Sequence, residues 1–208
     1  TGTRERPLSS SLPRGESTHL SHSSQGEKLP TFTQIHNAIG REVSVEEANA
    51  LVDSVTICDP AVGSGHFLVS CLNELLAIKS ELDILCDTEG KWLRNIEISV
   101  ENDELIVSWG SEELFEYDAA HTWQGQTLAG RKVNREIQRV QQALFHEKQQ
   151  LIENSLFGVD INPNSVKICR LRLWIELLKN AYYTGHSNFM ELEVLPNIDI
   201  NIKQGNSL

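Results

Sequence analysis

A chain of 208 residues with 39% hydrophobic and 23% charged residues has enough apolar material for one domain with a core. No run approaches the roughly 20 consecutive apolar residues of a membrane span, and the first residues lack the apolar stretch of a secretory leader, so the reading is cytoplasmic with no membrane partner. The net charge of -11 argues against unaided binding to duplex nucleic acid, which depends on Lys and Arg neutralising phosphates.

Residues 1–28 are rich in Ser, Gly, Pro and charge and hold only three leucines, which reads as a disordered leader ahead of a domain over 29–208. From Thr31 the spacing of Phe32, Ile35, Ala38 and Ile39 predicts a helix with one buried face, and Ser44 caps a second helix over about Val45–Val52. The β-branched run Ser54–Cys58 predicts a strand that stops at Asp59-Pro60. After two glycines, Leu68, Cys71, Leu72, Leu75, Leu76 and Leu82 recur at helical spacing, so strand, loop and helix open a βαβ unit.

About Asp83 to Glu153 the text is more polar and reads as an insertion. Within it, Ile96–Val100 and Leu105–Trp109 form a hairpin around Asn102-Asp103, and Arg131–Glu153 forms one long helix with a solvated, charged face. A second core strand, Ser155–Val159, ends on Asp160, and Asn162 with Pro163 starts the next helix. There Val166, Cys169, Leu173, Leu177 and Ala181 form a stripe that Leu171, Trp174 and Leu178 widen. A third strand spans Ile198–Lys203. The four cysteines are scattered, without metal-ligand spacing, and read as reduced core thiols; no metal is expected.

The chemistry concentrates in Asp59-Pro60-Ala61-Val62-Gly63-Ser64-Gly65-His66-Phe67, where a strand ends in an acid and two glycines let the backbone approach a ligand before a helix starts. A dinucleotide fingerprint wants a third glycine where Leu68 stands, and an acid at the strand end repels a pyrophosphate. The same acid suits a ligand with an ammonium and a sulfonium, as in S-adenosylmethionine. His66 reads as a helix-start residue rather than a catalyst, because no partner group lies near it in sequence. Trp174 reads as core, and Trp92, Trp109 and Trp123 flank hairpin or loop text.

These segments resemble the class I adenine-specific DNA methyltransferases, in particular the large fused type II restriction-modification enzymes. DPAVGSGHF is similar to that family's first motif, FGVDINPNSVKICRLRLWIELL to its second with the following helix, and LPNIDINIKQGNSL to its third, so the likeness runs from about Val55 to Leu208. It implies an α/β, Rossmann-like doubly wound fold, present here incompletely, with the helical and hairpin insertion. By that resemblance Asp59, Pro60, Ala61 and the backbone of Val62, Gly63, Ser64 and Gly65 hold the methionine end of the cofactor. Asp160 accepts from both ribose hydroxyls, Ile161 packs on the adenine, Asn206 accepts from its amine, and Phe67 shapes the transfer face.

The family's catalytic motif, Asn or Asp followed by Pro-Pro and an aromatic, holds an adenine flipped out of the duplex. No such tetrapeptide occurs in these 208 residues, so no catalytic residue is assigned and the chain is expected to be an inactive cofactor-binding part of a longer polypeptide. Duplex DNA would then be met by regions outside it. Two other readings remain: an RNA or small-molecule methyltransferase with the same cofactor half, and a non-catalytic nucleotide-binding or assembly module.

Overall fold

The computed structural model describes residues 29–110, 113–117, 135–187, 191–198 and 201–207. The expected leader, Trp123, the first residues of the expected long helix and part of the expected third strand lie outside these. Residues from Thr31 onward form one unit. Two short helices come first, α1 (Phe32–Ala38) and α2 (Val45–Asp53), each opened by a capping box, on Thr31 and on Ser44. Both are seen where the caps predict them, but α1 buries no residue: Phe32 is 38% and Ile35 41% exposed. The expected buried face is corrected there. At seven residues the helix is held by its capping box, and of the expected face only Ile39, just beyond it, packs on the small cluster of Ala48, Leu82 and Ile84.

Strand β1 (Ile57–Asp59) leads through the glycine loop into α3 (His66–Glu81). β1 starts three residues later than the β-branched text predicts, because Ser54 becomes the C-cap of α2 and Val55 still donates to Val52 O. An antiparallel meander follows, β2 (Ile96–Glu101), β3 (Glu104–Trp109) and β4 (Glu113–Leu114), the last of which sequence gave no sign of. Asn102 and Asp103 turn the hairpin with positive φ of 52° and 66°, a conformation that Asn and Asp tolerate better than most side chains.

Helix α4 (Arg135–Asn154), strand β5 (Leu156–Asp160), helix α5 (Pro163–Leu178) and strand β6 (Ile202–Gln204) complete the order. The strands β1, β5 and β6 make a parallel sheet in the order β1-β5-β6, with Asp59 opposite Gly158 and Gly158 opposite Ile202. The fold is thus mixed α/β around a three-stranded parallel sheet. Leu156 and Ile202 on one sheet face join Leu68, Leu72 and Leu76 of α3, Phe145 and Leu151 of α4, and Cys169, Leu173 and Leu177 of α5 in one buried cluster. The alternate residues fare differently: Phe157 and Val159 are half-buried, and Cys58 and Lys203 are exposed. Described helices therefore cover one face of the sheet, and Cys58 is a free surface thiol rather than a core one.

Helix α4 keeps the expected solvated face at Arg135, Glu136, Gln150 and Glu153, but its remaining sides are buried. Val140, Ala143 and Leu144 bury against Leu85, Leu93, Ile96 and Ile98 of the meander region, while Phe145, Leu151 and Ile152 bury in the main cluster. Its Lys148 is 1% exposed and donates to Glu176 O at 3.1 Å. The interleaved acids and bases are the margins of a helix shared by two cores. No described helix is long and apolar enough to cross a membrane.

Candidate functional site

At the carboxyl end of β1 the chain turns on its own acid: Asp59 Oδ1 accepts from Ala61 N at 3.0 Å. Val62 N then donates to Val159 O at 2.9 Å, and the Val62 side chain, 4% exposed, lies down on β5. It can do so because residue 158 is glycine; a Cβ there would sit 2.8 Å from Val62 Cγ2. Gly63 adopts a φ of 52° and gives its N–H to Asp160 Oδ2 at 2.9 Å. Gly65, at a φ of 78°, is the N-cap of α3 with no side-chain capping bond. A Cβ on Gly65 would lie 2.5 Å from Cys169 Sγ, so the loop rests directly on α5.

The loop after β5 closes on the same place. Asp160 Oδ1 accepts from Asn162 N at 2.7 Å. Asn162 in turn caps α5 by accepting from Asn164 N at 2.9 Å, with Pro163 in the first turn. The segment after β6 comes third: Gly205 N donates to Asp160 O at 3.0 Å and Ser207 Oγ to Pro60 O at 2.8 Å. Asp59 to Phe67, Asp160, Ile161 and Asn206 are thereby gathered at the carboxyl ends of three adjacent parallel strands, the usual position of ligands in open α/β sheets.

The groups left over define what this end can hold. A carboxylate offers about four acceptor positions, and Asp160 uses one on each oxygen for Gly63 and Asn162. One position per oxygen is left, the pattern a vicinal diol satisfies. Asp59 engages one oxygen with Ala61, which leaves the other for a cationic group. The first-turn amides of α3 lack a side-chain cap and carry the positive end of the helix dipole, which suits a carboxylate. Ile161 is 74% and Phe67 53% exposed, so two apolar surfaces stand open at the same end. Val62 contributes only backbone, since its side chain is spent on β5.

His66 lies at the mouth, with Nε2 3.5 Å from Asp103 Oδ2 of the hairpin turn and Nδ1 3.5 Å from Arg172 Nη1. It is an exposed helix-start residue, as expected. Burial pushes the Cys169 thiol up to about 11, so beneath Gly65 it is a packing group and not a nucleophile. Among the described residues of the three loops no nucleophile is hydrogen-bonded to a base.

Gly158, Cys169 and Ser207 are parts of this site that the sequence reading did not single out. A glycine inside a strand signals close backbone approach, and Gly158 could have been read that way. Cys169 and Ser207 give no such signal. Trp174 is half-buried and donates from Nε1 to Pro196 O at 3.1 Å, but Leu171 and Leu178, expected to widen the buried stripe, are 55% and 48% exposed. The reason is geometric: the buried arc of α5 is filled by Val166, Cys169, Leu173 and Leu177, and these two point away from it. Away from the site, two cavities of about 580 Å³ each share Cys86, Glu147 and Gln150. Two of their acids are structural: Lys79, 0% exposed, holds Asp53 and Glu147 at 2.6 Å each and ties α2, α3 and α4 together.

Over 157 residues, 76% of its length, the chain is 31% identical to a protein of Methanocaldococcus jannaschii named "Putative type II restriction enzyme and methyltransferase". The matched region spans 9% of that protein's length. No family model matches the chain, and no solved structure matches it.

Proposed function

We propose that this chain is the S-adenosylmethionine-binding part of a site-specific DNA adenine methyltransferase of a restriction-modification system, built on a Rossmann-like class I methyltransferase fold. The observation that carries the reading is the Asp160 carboxylate, which fastens the glycine loop and the start of α5 and still has one acceptor position free on each oxygen. The likeness to the M. jannaschii protein, whose name pairs restriction with methylation, supports the methyltransferase side. The choice of adenine as acceptor rests on the resemblance of the three segments to adenine-specific enzymes alone.

The residues present fit the cofactor group by group. Asp160 would accept from the two ribose hydroxyls and Asp59 from the amino group, while the uncapped start of α3 would face the carboxylate. Ile161 would cover one face of the adenine, Asn206 would accept from its amine, and Phe67 would screen the sulfonium side from water. When bound, S-adenosylmethionine supplies an electrophilic methyl group for the exocyclic amine of an adenine turned out of the duplex. These 208 residues lack the Asn/Asp-Pro-Pro-aromatic tetrapeptide, so this chain's part is to bind and orient the cofactor, in the cytoplasm where host DNA lies. Duplex DNA, bound by other regions of a longer polypeptide, is the expected partner.

Calorimetric titration of S-adenosylmethionine into the 208-residue chain, beside Asp160→Ala, tests this. Saturable one-site binding is expected, weakened at least 100-fold by the substitution, because two hydrogen bonds to a charged acceptor are worth about 1.5–3 kcal/mol each. A folded chain that binds no cofactor, or binds equally well without Asp160, would sink the reading.

A further inference from the structure

Among the described residues β6 is an edge strand, three residues long and paired with β5 alone. Successive carbonyls of a strand point to opposite sides. Gly158 N donates to Asn201 O at 3.0 Å, so Asn201 O faces β5 and Ile202 O faces the open edge, where a further strand would normally satisfy it. Arg170 of α5 takes that place. Its Nε and Nη2 both donate to Ile202 O, at 3.1 and 2.6 Å.

Neighbouring residues of one helix therefore hold two walls of the candidate site. Cys169 lies beneath Gly65 of the glycine loop, and Arg170, next in the chain, grips β6. At the start of the strand Asn201 Nδ2 donates to Ile152 O and Glu153 O of α4, at 2.8 and 2.7 Å, which fixes where β6 begins. Beyond Gln204 the chain meets the other loops at once, Gly205 N at Asp160 O and Ser207 Oγ at Pro60 O. Asn206 stands between these two contacts. A parallel strand this short has few ladder bonds of its own, and parallel pairing is the weaker kind. The setting of β6, and with it the place of Asn206, thus depends on the Arg170 clamp.

We infer that Arg170, through its two bonds to Ile202 O, positions Asn206 to read the base of the bound cofactor. The inference rests on the cofactor reading above, in which Asn206 accepts from the adenine amine. A side chain that reads one hydrogen bond must be held within about 0.5 Å of its productive place, by an element that is itself fixed. Arg170 supplies that fixity from α5, the helix whose cap Asn162 and whose Cys169 already seat the other two loops.

Two ligands titrated by calorimetry into the full 208-residue chain provide the test: S-adenosylhomocysteine, and its analogue with hydrogen in place of the base amine. Hydrogen there can neither donate nor accept, whichever way the Asn206 amide is turned. The parent should prefer S-adenosylhomocysteine about tenfold, the worth of one hydrogen bond. Arg170→Met should cut that preference to about twofold or less while its affinity for the analogue stays close to the parent's, and Asn206→Ala should do the same. Should Arg170→Met melt early, Arg170→Gln, polar but shorter, is read in the same way. A preference kept in full by the Arg170 variant, an equal loss of affinity for both ligands, or a preference that Asn206→Ala leaves intact overturns the inference. A parent that binds both ligands equally overturns it too and leaves the cofactor reading standing, whereas a folded parent that binds neither overturns both.

Discussion

The two sheets of this molecule are assembled in opposite ways. In the antiparallel meander every β2–β3 pair from Ile96 with Trp109 to Glu101 with Glu104 joins residues close in sequence, and the turn residues Asn102 and Asp103 set the register themselves. In the parallel sheet Asp59 lies beside Gly158 and Gly158 beside Ile202, and the loop contacts join Gly63 to Asp160 and Pro60 to Ser207. Local turn chemistry suffices for the first, whereas the second depends on elements far apart arriving at one place. The candidate site lies on the second sheet, so its geometry is a property of packing as much as of motif.

Two glycines bring this difference into one experiment. Gly65 in the site loop and Gly110 after β3 both have positive φ, 78° and 56°. Around Gly110 nothing would meet a Cβ within 4 Å, whereas at Gly65 the Cβ would meet Cys169 Sγ at 2.5 Å and Cys169 Cα at 3.2 Å. Gly65→Ala therefore adds a left-handed strain of roughly 1–3 kcal/mol to an overpacking cost of similar size. A loss of about 3–5 kcal/mol in denaturant unfolding is expected, together with weakened cofactor binding. A stable Gly65→Ala protein would show that the loop is not seated on α5.

The helix shared by the two regions carries the next effect. Lys148 of α4 is buried, and that burial lowers its pKa from 10.5 to about 8, with the Glu176 carboxylate opposing the shift. Between pH 8 and 10.5 the unfolded chain therefore holds a proton that the folded chain has released, so stability contributed at this position rises with pH across that window. Relative to Lys148→Met, which has no such proton, the parent should gain about 3 kcal/mol between pH 7.5 and 10.5. Denaturant midpoints of both proteins at the two pH values measure this, and a difference that does not change with pH would mean that Lys148 does not titrate there.

What sequence discloses follows the same division. The hairpin, the capped starts of α2 and α5, and the glycine loop were legible because each is written in local chemistry: Asn102-Asp103, Ser44, Asn162-Pro163, and Gly63 with Gly65. Faces were less legible. The apolar residues of α5 were read as one broad inward stripe, yet they divide into a buried arc and an exposed one, because periodicity reports that residues share a side without saying what covers it. The charges of α4 announce a solvated face, which exists at Glu136 and Glu153, but they do not disclose that Lys148 and Val140 on its other sides are buried. The site acids could be nominated from strand ends, but that Asp160 grips the Gly63 amide across 97 positions could not.

Gly158 gives a milder test of the parallel sheet. An added Cβ would lie 2.8 Å from Val62 Cγ2 and 3.3 Å from Ile202 Cδ1, contacts with side-chain methyls that can shift partly. Gly158→Ala should destabilise by about 1–3 kcal/mol, and it should lift Val62 and so weaken cofactor binding more than its effect on stability alone would. Titration calorimetry alongside unfolding separates the two. Retained affinity in a destabilised protein would show that the Val62 seat does not shape the ligand end.

Gly110→Ala should have the smallest effect and calibrates the others. Its backbone is left-handed but open space surrounds it, so only the conformational strain remains, about 1–2 kcal/mol. It should leave cofactor binding unchanged, since it follows β3 in the meander. The gap between Gly65→Ala and Gly110→Ala then measures the contact with α5, because both substitutions share the same change of side chain and the same sign of φ. If the two variants unfold at the same denaturant concentration, the close approach of the loop to Cys169 carries no energy, and the contrast between locally encoded meander and packed site fails at its central residue.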